Sequence, residues 1–318
     1  MIEPNPWGKE GQRGLVPKSR LLSSMLGTRP RILAPVLIGQ MGRPAISIGD
    51  ALAASPGGSG TLLALVEIRV GRDNEVFAQE QRRRDMLRWV ASLEYDGEVR
   101  RRLSLTLRMT ANVASSIRDA VAENEVTSLV LEWPTVKSPR RHGLIDLTQQ
   151  FLPGNGTDLV FVRSHPRVPD QAIAPRSILA SIRGGPSARV VAATAAALAD
   201  AYGSALTLLH VRTDSQHPDR SQREWQGFEE IVEEMRRPST QVRLHRHDSP
   251  AIGILEEATN HDLVIIGSRL NPANPNVLIG RELMRTLRRL DSPVLMIRPK
   301  HLVTPESTRH PAANGHTG

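Results

Sequence analysis

The chain of 318 residues contains no cysteine. Disulfides, thiolate nucleophiles, Cys-ligated zinc and iron-sulfur clusters are thereby excluded together, and the expectation is a cytoplasmic protein. Aromatic residues make up only 3%, too few for the stacking platforms that bind single-stranded nucleic acid. Lysine occurs only at 9, 18, 137 and 300, so the formal charge of +8 is almost entirely arginine. No apolar run is long enough for a membrane span. Val190 to Val211 comes nearest, but Asp200 and Gly203 interrupt it and it reads as helix, turn and strand. Residues 1–30 lack the apolar core of a secretory signal. Neither G-x-x-x-x-G-K-[ST] nor G-x-S-x-G occurs, so neither P-loop phosphoryl transfer nor a serine-hydrolase elbow is expected.

What is present is ordinary globular material, 39% hydrophobic and 23% charged. The arginine runs at 82–84, 100–102, 140–141 and 288–289 are interleaved with acidic residues. They read as solvated, salt-linked faces, and no specific nucleic acid is expected. His245 and His247 alternate as they would on one side of a strand, with His210, His217 and His261 in the same region. No matched carboxylate or ligand spacing accompanies them. They are expected at the surface or at strand ends, with no metal site.

Short β-branched runs alternate with helical periodicity. Strands are expected at Ile32 to Ile38, Thr61 to Ile68, Arg102 to Leu107, Ser128 to Leu131 and Asp158 to Val162. Between them lie the stripes Met86, Leu87, Val90, Leu93 and Val113, Ile117, Ala120, Val121. The pattern then restarts: PRILAPVLIG at 30–39 is echoed by PRSILASIRG at 175–184. Second-copy strands follow at Ala205 to Val211, Gln241 to His245, Asp262 to Ile266 and Pro293 to Arg298, with helical stripes between. The alternation implies an α/β protein whose mostly parallel sheets are covered by helices on both faces. The expected organisation is an N-terminal extension over 1–27, a first domain over 28–165, a linker over 166–173, a second domain over 174–300 and a loosely ordered tail over 301–318.

The second copy resembles the universal stress protein family. SILASIRGGPSARVVAATAAALADAYGSALTLLHV is similar to its first strand, helix and second strand; DSPAIGILEEATNHDLVIIGS to its turn, helix and strand; and GRELMRTLRRLDSPVLMIRP to its closing helix and edge strand. The resemblance implies two tandem Rossmann-like domains, each with a mostly parallel five-stranded sheet between helices, the first degenerate. It also implies that the tandem pair stands in for the family's dimer.

Nucleotide-binding members resemble one another in G-x-x-G, nine residues, then G followed by Ser or Thr, where glycines let backbone amides approach phosphates. Gly267 and Gly280 stand at the first and third glycine positions; Leu270 replaces the second, Arg281 stands at the Ser/Thr position, and Pro272 and Pro275 remove amide donors from the loop. Arg183 occupies the place of an acidic residue after the first strand, which turns the preference towards an anion. The candidate site is Ile182, Arg183, Gly184, Gly185, Gly267, Ser268, Gly280 and Arg281, for ATP, another adenine nucleotide or another anion. The competing reading is a plain strand-to-helix turn. In the first copy, Glu132-Trp133-Pro134 stands where a glycine pair is expected, while Gly39, Gly42 and Arg43 could form an anion-accepting turn.

No catalytic residue is expected. The leading function is a non-enzymatic sensor or regulatory protein that acts through self-association or a regulatory or transporter partner. The alternatives are a weak nucleotide hydrolase using the same cleft and a ligand-free interaction scaffold accessory to a membrane transporter.

Overall fold

A computed structural model describes residues 29–37, 42–67, 80–91 without 82, 86 and 90, 102–133, 156–185 without 170, 187–213, 218–235, 239–268 and 288–300. The first half runs β1 (Arg31–Leu37), α1 (Arg43–Ala53), β2 (Ser59–Glu67), β3 (Leu103–Thr110), α2 (Val113–Glu123), β4 (Ser128–Glu132) and β5 (Asp158–Arg163). The second runs β6 (Ser177–Ser181), α3 (Ala188–Tyr202), β7 (Ala205–Arg212), α4 (Pro218–Glu234), β8 (Thr240–Arg246), α5 (Pro250–Ala258), β9 (Leu263–Gly267) and β10 (Val294–Arg298). All ten strands expected from the sequence are present. Met86, Val90 and Leu93 of one expected helical stripe lie outside the described residues, as do both chain ends.

Local chemistry sets the boundaries. Asn112 caps α2 by accepting a hydrogen bond from Ser115 N at 3.0 Å. Proline opens α1 and α5, where its missing N–H costs nothing. Gly203 ends α3 in the left-handed region, φ 66°.

The strands form one sheet in the order β3-β2-β1-β4-β5-β10-β9-β6-β7-β8. Every pairing within each half is parallel, and β5 meets β10 antiparallel. The two expected five-stranded sheets are therefore fused edge to edge. The junction register pairs Phe161 with Met296, Val160 with Ile297 and Val162 with Leu295. That pattern is self-complementary, as a twofold axis between Phe161 and Met296 requires. Because the halves run in opposite senses, the carboxyl ends of their strands open at opposite edges of the sheet.

Both faces are buried. One layer carries α1, α3 and α4 over Ile32, Ala34, Ile178, Ala180 and Ile297. The other carries α2 and α5 over Leu33, Phe161, Leu179 and Met296. The alanines of α3, almost without exposure, let it approach α1 across the junction. There the Tyr202 hydroxyl donates to Ser47 O at 2.8 Å and Ile173 N donates to Ser47 Oγ at 2.9 Å. Burial pushes the Tyr202 phenol up, so it remains a donor. On the other layer, Arg163 Nη2 donates to Leu290 O at 2.8 Å and Ser292 O at 2.6 Å, fixing the chain as it enters β10.

Candidate functional site

In the second half the direction of winding reverses between β6 and β9, and doubly wound sheets place their ligand crevice at such a point, at the carboxyl ends of the strands. Ile182, Arg183, Gly184 and Gly185 form the turn from β6 towards α3, Gly267 ends β9 and Ser268 follows it. The structure thus brings six of the eight expected residues to the switch point. Gly280 and Arg281 lie outside the described residues.

Gly267 faces the first turn of α3, where a Cβ would stand 3.2 Å from Ser187 Oγ and from Val191 Cγ2. Glycine therefore lets the helix start directly against the end of β9. Ser187 makes no side-chain cap bond, and the first turn of α3 carries no acidic residue. The positive end of the helix dipole meets the crevice there, with Arg183 in the turn that leads into it. Gly185 has open space where a side chain would be. Ser268 is buried, and its backbone N donates to Ile297 O at 2.7 Å. That N–H belongs to the sheet.

Gly184 serves another contact. Its φ is +80°, and a Cβ there would lie 1.8 Å from Glu224 O in α4; a Cβ on Gly227 would lie 2.4 Å from Gly184 O. Two glycines set the turn and the helix backbone against each other. Above them the Arg183 guanidinium lies 3.8 Å from the Glu224 carboxylate.

His210 lies near the end of β7, one of the two places expected for these histidines, and is buried there at 4% exposure. Its Nδ1 lies 3.0 Å from Ile182 O. A carbonyl only accepts, so Nδ1 carries the proton. Burial holds its pKa below the ordinary histidine value against the raising effects of the Ile182 bond and Glu224, and the ring is neutral at neutral pH. It packs against Phe228 at 4.9 Å and Trp225 at 5.7 Å between centroids. Glu224, Gly227 and this aromatic cluster were not singled out from sequence as parts of the site. A histidine inside the otherwise apolar ALTLLHV, followed by Trp225 and Phe228 at helical spacing, is the signal that carries them.

His245 and His247 do share a side, with rings stacked at 6.4 Å, but His245 Nε2 lies 2.9 Å from Glu256 Oε2 of α5. Among the described residues no group of three or more His, Asp or Glu is arranged to hold a metal ion.

In the first half the described residues at the matching place differ, and Gly39 of the turn expected with Gly42 and Arg43 lies outside the described residues. Under the twofold, Glu132 falls where the second half has Gly267 and Trp133 where it has Ser268; Trp133 N donates to Val162 O at 2.7 Å, the counterpart of the Ser268 bond. Trp133 then packs edge-on against Phe161 at 5.8 Å.

Residues 175–298 match the model of the universal stress protein family. The second half is a universal stress protein domain. The family match stops there, and the first half resembles it in fold. No curated protein matches the chain. A universal stress protein from Archaeoglobus fulgidus DSM 4304 is 14% identical, with 85% of this chain and 96% of that one covered at a TM-score of 0.52. A protein of unknown function from Pseudomonas aeruginosa PAO1 is 15% identical, with 87% and 95% covered at 0.54. The cytoplasmic domain of a prokaryotic cation chloride cotransporter is 13% identical, with 86% and 96% covered at 0.51. At these identities the likeness is one of fold, and it spans both halves. No described helix is long and apolar enough to cross a membrane.

Proposed function

We propose that the chain is a non-enzymatic, cytoplasmic regulatory protein of the universal stress type, built of domains at about 28–165 and 174–300. It acts by association with another protein and responds to a nucleotide, such as ATP, or another anion at the switch point of the second domain. The observation that carries this reading is the uncapped start of α3 seated on Gly267, with Arg183 in the adjoining turn. Together they supply positive potential. The first domain, with Glu132 and Trp133 at the matching place, serves as the structural partner. Association is supported by the outer edge strand β3, which exposes Leu105, Leu107 and Met109 on one face. A transporter accessory is one partner class, since a cotransporter's cytoplasmic domain has the same fold.

A second reading, the ligand-free scaffold, is favoured by the contact of Gly184 with α4, which accounts for that glycine without a ligand. Calorimetric titration with ATP, ADP, AMP and cyclic nucleotides, with and without Mg²⁺, separates the two. Saturable heat abolished by Arg183→Ala supports the ligand reading; no heat from folded protein supports the scaffold. Nucleotide turnover lost in Arg183→Ala would instead revive the hydrolase.

A further inference from the structure

We propose that β3 is the interface at which two copies of this chain dimerise, each laying its strand antiparallel to the other so that one sheet runs through both. The inference rests on the association reading above and names the partner. β3 stands at one end of the sheet order and pairs with β2. On its outer side alternate N–H and C=O groups point away from the sheet, and such an edge is a template for a further strand unless charge, proline or a bulge blocks it. β3 has none of these guards. Leu103–Thr110 contains neither proline nor glycine and keeps unbroken register with Gly60–Glu67. Its one charge, Arg108, is paired with Glu123 of α2. β8, at the opposite end of the sheet, carries exposed Arg243 and Arg246.

The two faces of β3 differ. Leu105, Leu107 and Met109 are 47%, 39% and 43% exposed, and by strand alternation they share the face of Leu103, which packs against Val36, Ile46 and Leu62. Ser104, Thr106, Arg108 and Thr110 take the other face. This pattern selects a second copy as the occupant and sets its register. A slip of one residue would turn leucines against the Ser/Thr face. A twofold at Arg108 would oppose two like charges, and one at Thr106 would set Met109 against Leu103, which is already packed. A twofold at Leu107 pairs Leu107 with itself and Leu105 with Met109, and places Arg108 opposite Thr106. All three exposed side chains then gain apolar neighbours and no charge meets its like. The contact closes as a dimer, whereas addition of β3 to β8 would continue from copy to copy. The same device already joins the halves of one chain, where β5 and β10 meet antiparallel across a twofold.

Because the chain has no cysteine, one introduced thiol reports on one position. Under mild oxidation Leu107→Cys should cross-link to its own copy, since directly opposed residues have Cα atoms about 4.5–5.5 Å apart, within disulfide reach. Leu105→Cys should not, because its twin lies about 13 Å along the strand, but mixed with Met109→Cys it should. Analytical ultracentrifugation of the full chain should show a monomer–dimer equilibrium that Leu107→Lys weakens at least about tenfold, by opposing two ammonium groups on the axis, with the circular dichroism of wild type. A wild type that stays monomeric at every concentration overturns the inference and leaves association with a different protein standing. A dimer that Leu107→Lys does not weaken, or Leu105→Cys cross-linking as readily as Leu107→Cys, puts the interface elsewhere and overturns it as well.

Discussion

Phe161 is paired with Met296 at the centre of the β5–β10 junction, and each is the other's counterpart under the twofold that relates the halves. The axis runs through a fully packed pair, Phe161 at 1% and Met296 at 2% exposure. The two halves therefore share one core layer instead of meeting at a wet domain boundary. Phe161→Ala should cost about 3–5 kcal/mol. Guanidinium unfolding followed by tryptophan fluorescence and by circular dichroism should give coincident transitions in wild type. Two resolved transitions there would contradict the shared core.

Gly184 and Gly203 both have positive φ, but only Gly184 has backbone within reach of an added Cβ; Gly203 has nothing within 4 Å. Gly203→Ala should cost about 1 kcal/mol, the strain alone. Gly184→Ala should cost well over that and displace α4. Chemical denaturation of both variants checks the difference, and equal losses would show that the Glu224 carbonyl does not confine this turn.

Burial lowers the pKa of His210 below 6.5, so the folded protein binds that proton less readily than the unfolded chain. Its contribution to stability is complete above about pH 6.5 and is lost as the pH falls towards the folded-state value. Denaturation midpoints should decline between pH 7.5 and 5.5, with a shallower slope in His210→Phe. An identical slope in the variant would show that this buried ring is not the titrating group.

Asp50 has the opposite sign. Desolvation raises its pKa above 3.8, partly opposed by Arg102, and its Oδ1 has no hydrogen-bond partner among the described residues. The folded state holds this proton more tightly than the unfolded one, so the ionised carboxylate reduces stability as the pH rises through the folded pKa. Asp50→Asn should raise Tm by about 2 °C at pH 7, and the gain should shrink towards pH 4. Calorimetric scans at the two pH values measure it, and a lower Tm at pH 7 would contradict the assignment.

The alternation of β-branched runs and helical stripes placed every strand, because strands buried on both faces read as continuous apolar segments and helices on a sheet must repeat at three or four residues. The echo of PRILAPVLIG in PRSILASIRG revealed the duplication. Whether β10 pairs within the chain was not legible, since an edge strand such as VLMIR carries no mark of its neighbour. The candidate site was legible where glycine spacing records a backbone need, as at Gly267. At Gly184 the sequence did not carry the second contact, with the carbonyl of Glu224 forty residues on in the chain. The burial of His210 depends on Trp225 and Phe228 folding back over β7, a long-range contact that strand alternation does not encode.

We propose that the ligand-responsive crevice lies in the second half alone, beside α4. Amide chemical shifts recorded during titration with ATP, with inorganic phosphate as the simpler anion, test it most directly. Saturable changes are expected at Arg183, Gly184, Gly185, Gly267 and residues 221–227, absent in Arg183→Ala. Saturable changes centred on Gly42, Arg43 and Glu132, or none at any residue, would contradict it.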